Sequence, residues 1–286
     1  MSLYAIGDLH LHYQSQLRAP GQLTEKVWKN HEERFRKNCA LIRDSDTLVL
    51  VGDHSWGRNL DECEKDLQYI MNLPGRKVLL RGNHDMFWDA KKTAALNARF
   101  EGRLFFLQNN YFPYRDYALV GTKGYTFEGP FYLNRRRQIT GWDEKEAEHA
   151  EKLVERELER LRASFEAARN DGYTRFIMFL HYPPTNILER RSGFTDMAEE
   201  YGAEQVVYAH CHGQSRFHDS IEGRFHGVEY RLVSGGFFSV ETSMVIRIVI
   251  YKTTKPRRFC SLSYSRRFAV REKHAHSCTT DQFMVY

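Results

Sequence analysis

Apolar residues along the chain gather into short runs, and most runs close on polar residues. Residues 3–6, 47–51, 77–80, 105–107, 117–120, 175–180, 205–208 and 230–234 are such runs, and they predict strands. Residues 244–251 (MVIRIVIY) predict one more, at a sheet edge. Between strands the period changes. Over 24–43, Val27, His31, Phe35, Asn38 and Ile42 fall near one face, and Lys, Glu and Arg fill much of the rest. That spacing predicts a helix. Residues 60–72 predict a second helix, stopped before Pro74-Gly75. Residues 143–169 predict a third, a solvated amphipathic helix with Leu153, Leu158, Leu161 and Phe165 as apolar positions. Asp143 is its N-cap, with Glu146 at capping-box spacing. Residues 124–142 hold aromatics, Gly and three consecutive Arg without a period, and predict a loop or cap.

Strand–helix–strand alternation predicts an α/β fold, in which ligands bind at the carboxyl ends of strands. Asp8, Asp53, Asn83, His181 and His210 each follow a predicted strand, so the alternation puts them on one rim. Five motifs fall there in order: Gly7-Asp8-Leu9-His10, Gly52-Asp53, Gly82-Asn83-His84-Asp85, His181 and Ala209-His210-Cys211-His212. Carboxylates, imidazoles and an amide oxygen suit borderline divalent ions such as Mn, Fe, Zn, Co or Ni, and do not suit Ca. Asp8-x-His10 and His210-x-His212 can each aim two side chains at one ion or at two adjacent ions. Two ions ~3.5–4 Å apart need a bridging ligand, commonly a carboxylate, and such a pair activates water for attack on phosphorus. Each motif alone is commonplace turn chemistry; the ordered set of five is not.

Composition changes this picture little. The chain has 286 residues, of which 42% are hydrophobic and 28% charged, which excludes global disorder. No run approaches the ~20 apolar residues that span a bilayer, and the start, MSLYAIGDLHLHY, does not read as a signal peptide. Cys39, Cys63, Cys211, Cys260 and Cys278 form no CxxC pair, so they read as free thiols in a cytoplasmic protein. The net charge of +5 comes from the end of the chain. Residues 241–286 hold nine Lys or Arg against three acids, and residues 1–240 carry −1.

The set GDLH, GD, GNHD, H and HxH resembles the calcineurin-like metallophosphoesterase superfamily. GDHSW, LPG, RGNHDMFW, LQNN, HYPP and the AHCHG–Gln region resemble a bacterial branch of phosphohydrolases within it, over about residues 3–235. The resemblance implies a four-layer α/β/β/α sandwich over 1–240, with a small helical or loop cap inserted at about 124–170. Residues 241–286 are then a basic extension, one edge strand followed by poorly ordered chain. By position, Asp8, His10 and His212 would hold a first metal and Asn83, His181 and His210 a second, with Asp53 bridging. His84 would contact the phosphate and assist the leaving group, and Asp85 would orient His84. Two departures stand out. Ala209 replaces the usual Gly before HxH, and Gly52-Asp53-His54-Ser55-Trp56-Gly57 lacks the Asp-Arg-Gly of serine/threonine protein phosphatases, which argues against that class.

The reading is a metal-dependent phosphoesterase acting on a mono- or diester, including nucleotide-type substrates, by a dinuclear metal-activated hydroxide. Its substrate is a phosphorylated small molecule or nucleotide, and no membrane partner is expected. Two alternatives stay open: a nuclease with the same centre, guided by Arg135–Arg137 and the basic tail, and a non-enzymatic scaffold of this fold. His12 and His54 read as hydrogen-bonded or solvent-facing loop residues, and Trp56, Phe87 and Trp88 as core.

Overall fold

Eight apolar runs become strands of two sheets. The computed structural model describes residues 1–14, 30–125, 131–134, 138–212, 218–235 and 246–248. In the first sheet β1 (Leu3–Ile6), β2 (Thr47–Val51), β3 (Arg76–Leu80) and β4 (Leu104–Leu107) run parallel. β13 (Ile246–Ile248) joins the β1 edge antiparallel, giving the order β13-β1-β2-β3-β4. The second sheet has β6 (Tyr117–Thr122), β9 (Phe176–Leu180), β10 (Gln205–Tyr208) and β12 (Val228–Leu232) parallel at its centre. β5 (Tyr111–Tyr114) and β11 (Gly223–Phe225) close it antiparallel, in the order β11-β12-β10-β9-β6-β5.

Period-2 alternation then sorts the side chains into layers. Leu48 and Leu50 of β2 join Ile6, Leu79 and Phe106 beneath three helices. These are α1 (His31–Cys39), α2 (Glu64–Met71) and α3 (Thr93–Arg99). Phe176, Met178 and Leu180 of β9 join Ala118, Val120, Val206 and Tyr208 beneath α4 (Glu144–Asn170) and α5 (Gly193–Glu200). The alternate residues Val49, Val51, Ile177 and Phe179 point the other way and are equally buried. They meet between the sheets: a Cβ on Gly121 of the second sheet would come 3.0 Å from Leu80 Cδ1 of the first. This is the four-layer α/β/β/α sandwich expected from the sequence. A bridge between Gly7 and Ser234 ties the carboxyl end of β1 to that of β12.

Several elements differ from the pattern reading. Described helix α1 starts at His31, and residues 15–29 lie outside the described residues. α2 starts at Glu64, four residues late, because the Asn59 side chain takes the Glu62 amide (3.0 Å) and holds a turn there. Asp143 caps α4 as expected, accepting from Lys145 N and Glu146 N. The far half of α4 is a core layer, with Leu161, Phe165 and Ala168 fully buried. Part of 124–142 is a bulged hairpin, β7 (Phe131–Leu133) with β8 (Ile139–Trp142). The Arg135–Arg137 run and residues 249–286 lie outside the described residues. Among the described residues, no helix is long and apolar enough to cross a membrane.

Candidate active site

Parallel strands send their carboxyl ends to one side, and those ends carry the polar motifs. Asp8 and His10 follow β1, Asp53 follows β2, Asn83 and His84 follow β3, His181 follows β9, and His210 and His212 follow β10. The chain turns sharply as it leaves the strands. Asp8, His10, Asp53 and His210 all adopt positive φ (58°, 45°, 54° and 67°). Left-handed backbone costs roughly 1–2 kcal/mol for an L-residue and persists where the surroundings impose it. Here those surroundings are hydrogen bonds: His10 N donates to Asp53 O (2.9 Å) and Asp8 N to Gly52 O (3.0 Å). A Cβ at Gly82 would fall 2.1 Å from Asp53 Oδ1, and one at Gly52 would fall 2.3 Å from His181 Nδ1. Only glycine lets these loops close on the carboxylate and the imidazole.

The donors collect in two groups: Asp8, His10 and His212, and Asp53, His181 and His210. In the first, His10 Nε2 and His212 Nε2 stand 3.3 Å apart with their rings nearly perpendicular. In the second, His181 Nε2 lies 2.8 Å from Asn83 Oδ1 and 3.3 Å from His210 Nδ1. Asp53 Oδ2 lies between the groups, 3.4 Å from His181 Nε2 and 3.8 Å from His10 Nε2. Donors about 2.0–2.2 Å from a shared ion sit roughly 3–3.5 Å from one another at tetrahedral or octahedral angles. The spacing therefore fits metal ligation. Two oxygens complete the test: Asp8 Oδ1 is buried and accepts no hydrogen bond among the described residues, and Asp53 Oδ2 is buried with the His181 ring facing it at 3.4 Å.

Neighbouring groups aim each donor. His181 Nδ1 donates to Val51 O (2.9 Å), which turns Nε2 toward Asn83 and Asp53. Asp8 Oδ2 accepts from His210 N (3.1 Å) and from the Ser234 hydroxyl. Asp53 Oδ1 accepts from His84 N (2.8 Å), leaving Oδ2 for the centre. With protons as the only cations, the rings differ in charge. Burial pushes the His10 imidazole down to about 3, with His212 and His84 adding to burial against Asp53 and Asp8. Burial also opposes a charge on His181, but Asp53, Asp8 and the Val51 carbonyl outweigh it and push His181 up to about 9. Burial alone would raise the Asp53 carboxyl; His181, His10 and His84 hold it well below the usual carboxylate range.

All eight sequence-derived positions Asp8, His10, Asp53, Asn83, His84, His181, His210 and His212 meet at this rim. Asp85 does something other than expected. Its carboxylate accepts the amides of Gly82 (2.7 Å), Asp53 (2.9 Å) and His54 (2.8 Å). Among the described residues it makes no hydrogen bond to His84. It is an anchor for the Asp53 and Asn83 loops, because a buried carboxylate takes the nearest unpaired amides. Trp56 also departs from a core role: it is half-buried, stacks on His10 (5.1 Å, 20°) and lies 4.3 Å from the His84 ring. Trp88 is core, fully buried against Phe106. His54 is buried, with Nε2 on Leu80 O (2.9 Å). Ser234 and Tyr182 were not singled out from sequence. The Tyr182 ring packs 4.3 Å from that of His210.

A family model for calcineurin-like phosphoesterases matches residues 1–214. The chain belongs to that family. This phosphoesterase is accordingly a hydrolase of phosphoric ester bonds, in a family that uses divalent metal ions. Among solved structures it is similar to the phosphopantetheinyl hydrolase PptH of Mycobacterium tuberculosis, with 14% identity and a TM-score of 0.49 over 89% of this chain and 98% of that one. It is also similar to protein AQ665 of Aquifex aeolicus, of unknown function, with 14% identity and a TM-score of 0.40 over 82% and 91% of the two chains. No curated protein matches the phosphoesterase.

Proposed function

We propose that this phosphoesterase works with two divalent ions. Asp8, His10 and His212 hold the first, Asn83, His181 and His210 hold the second, and Asp53 bridges. The observation that carries this reading is the position of Asp53 Oδ2, buried between the two donor groups at 3.8 and 3.4 Å. When bound, such ions supply Lewis acidity: they make hydroxide available near neutral pH and draw charge from phosphoryl oxygens. The metals are drawn from Mn, Fe, Zn, Co and Ni, since the donors are imidazole, carboxylate and amide.

The chain's own residues do the rest. His84 stands half-buried beside Trp56 and His10, where its ring can give a proton to the departing oxygen. Asp85 fixes the amides on which Asp53 and Asn83 turn. Trp56 covers one face of His10 and limits water there. The substrate is a phosphorylated small molecule or nucleotide, as mono- or diester. The free, buried thiols of Cys39 and Cys63, both pushed up to about 12 by burial, support residence in the reducing cytoplasm.

The test is hydrolysis of a chromogenic phosphodiester and its monoester with added Mn²⁺, with Asp53→Asn as the blank. Turnover of either that disappears in the blank supports the centre, and their ratio selects the substrate class. Bound metal without turnover of either ester argues for the scaffold alternative. Salt-sensitive nucleic-acid binding lost on deleting residues 252–286 would move the substrate to nucleic acid.

A further inference from the structure

A cationic cluster lies one aromatic ring away from His210. Arg81 follows β3 and Lys123 follows β6, so both leave strand ends on the rim of the metal donors. The Lys123 carbonyl accepts the amides of His181 (3.1 Å) and Tyr182 (2.8 Å), which pins this residue to the loop that carries His181. Its ammonium stands 5.3 Å from the centre of the Tyr182 ring and 5.7 Å from that of Tyr125. The Tyr182 ring packs in turn against His210.

Cations outnumber anions in the cluster. Arg81, Arg156 and Arg160 repel the Lys123 ammonium, and Glu157 is the carboxylate that attracts it. Glu157 is buried with both oxygens engaged, Oε1 by Arg160 (2.6 Å) and Oε2 by the Thr122 hydroxyl (2.5 Å). Among the described residues, Lys123 Nζ has no hydrogen bond or ion pair, and Arg81 Nε is buried with no acceptor. Lys123 and Arg81 are both half-buried. Aromatic faces attract an ammonium but accept few of its hydrogen bonds, so Lys123 gives up hydration without full replacement. Crowded, partly desolvated cations raise the energy of the free protein, and an arriving anion lowers it again. Arginine forks suit phosphate and carboxylate alike.

We propose that Lys123 and Arg81 bind a second anionic group of the substrate, a phosphate or carboxylate carried by the same molecule whose ester lies at the metal donors. This rests on the phosphoesterase reading of that centre. The preferred substrates are then bis-anionic: a phosphoester with a further charged group that reaches Lys123 beside the Tyr182 ring. Arg156 and Arg160 raise the local potential, and Glu157 holds Arg160 in place.

The experiment uses alkylphosphonates of graded length, each with and without a terminal carboxylate, titrated calorimetrically onto the Mn²⁺-loaded protein. At one chain length the carboxylate form binds about 10-fold tighter than its plain partner, and the ratio falls to about 2-fold or less in Lys123→Met. Lys123→Arg keeps most of the advantage, and Arg81→Met, a change on a different loop, reduces it independently. Equal binding of the two series in the wild type, or an advantage that survives both Met variants, overturns the subsite. Turnover of the chromogenic esters is measured alongside. Turnover without carboxylate preference sinks the subsite alone, and loss of turnover with the preference intact sinks the catalytic reading alone.

Discussion

The two donor groups are built from the same chemistry and placed differently. Asp53, His181 and His210 are all buried, whereas the first group keeps His212 half-buried at its edge. The sealed group charges itself: its carboxylate holds a proton on His181 up to about pH 9. In the open group burial dominates, and His10 stays neutral down to about pH 3. The difference teaches what each carboxylate does. Asp53 faces both groups, so its charge stabilises whatever cation is present, proton or metal. Asp8 gives one oxygen to His210 N and the Ser234 hydroxyl, and keeps the other for the open group.

Removing the shared residue breaks the comparison outright. Asp53→Asn lowers kcat by at least about 100-fold, because both groups lose their common negative charge. The same variant binds fewer than two ions per chain when metal content is measured after dialysis. A variant with near-native rate would refute the bridging role. His84→Ala lowers kcat by about 100-fold as well, but leaves metal content unchanged, since His84 reaches Asp53 through its backbone amide. Metal loss in that variant would mean that the ring, and not the amide, supports the centre.

Chelation sharpens the contrast. Competition with a chelator strips the ions in two phases. The open group empties first, at a rate about 10-fold faster, because its imidazole His212 is within reach of solvent, whereas both imidazoles of the other group are buried and only its Asn83 amide is half-buried. His212→Ala removes the fast phase and His181→Ala the slow one. A single phase in the wild type contradicts unequal sealing.

Proton linkage tests the same asymmetry in metal-stripped protein. His10 has a folded value near 3 against 6.5 unfolded, so the unfolded chain binds the extra proton and stability falls as pH drops below 6.5. The depressed Asp53 carboxyl adds to that loss once pH passes below 3.8. His181 has a folded value near 9, so the native state holds the extra proton and stability falls as pH rises from 6.5 toward 9. Each limb has a limiting slope of about 1.4 kcal/mol per pH unit. Denaturant melts therefore show a maximum near pH 6.5 with chelator present. Metal stabilises more at pH 8.5 than at pH 6.5, since the His181 proton competes less as pH approaches 9. A flat alkaline limb would contradict the charge on His181.

Much of this site was legible from strand ends. A buried parallel strand reads as an unbroken apolar run, and its carboxyl end shows where the chain turns to polar residues. Asp8, Asp53, Asn83, His181 and His210 were visible for that reason. The α/β class came from alternation and the four-layer sandwich from resemblance, but the elements at its margins came from neither. β5 carries Pro113, which only an edge strand tolerates, and so reads as loop. α5 spans eight residues, too few for a period to emerge, although Ser192 and Thr195 form its capping box. The role of Asp85 was illegible for a different reason. Its partners are backbone amides, which leave no mark on sequence, whereas an adjacent histidine invites a side-chain pairing that the fold does not make.

Ser234 belongs with those silent contributors and carries the smallest expected effect. It lies beyond β12, joins Gly7 in a bridge, and donates its hydroxyl to Asp8 Oδ2. That bond holds the Asp8 carboxylate so that Oδ1 faces His10 and His212. Residues that orient a metal ligand typically contribute 10–100-fold to affinity. Asp8 keeps the His210 amide when Ser234 is lost, so Ser234→Ala sits at the lower end, about 10-fold weaker for the ion of the open group. The sealed group, whose ligands make no hydrogen bond to Ser234 among the described residues, keeps its affinity. Calorimetric titration with Mn²⁺ resolves the two steps, and only the weaker one should move. An equal loss at both would mean that Ser234 acts by holding the two sheets together at Gly7, and that the hydroxyl on Asp8 is incidental.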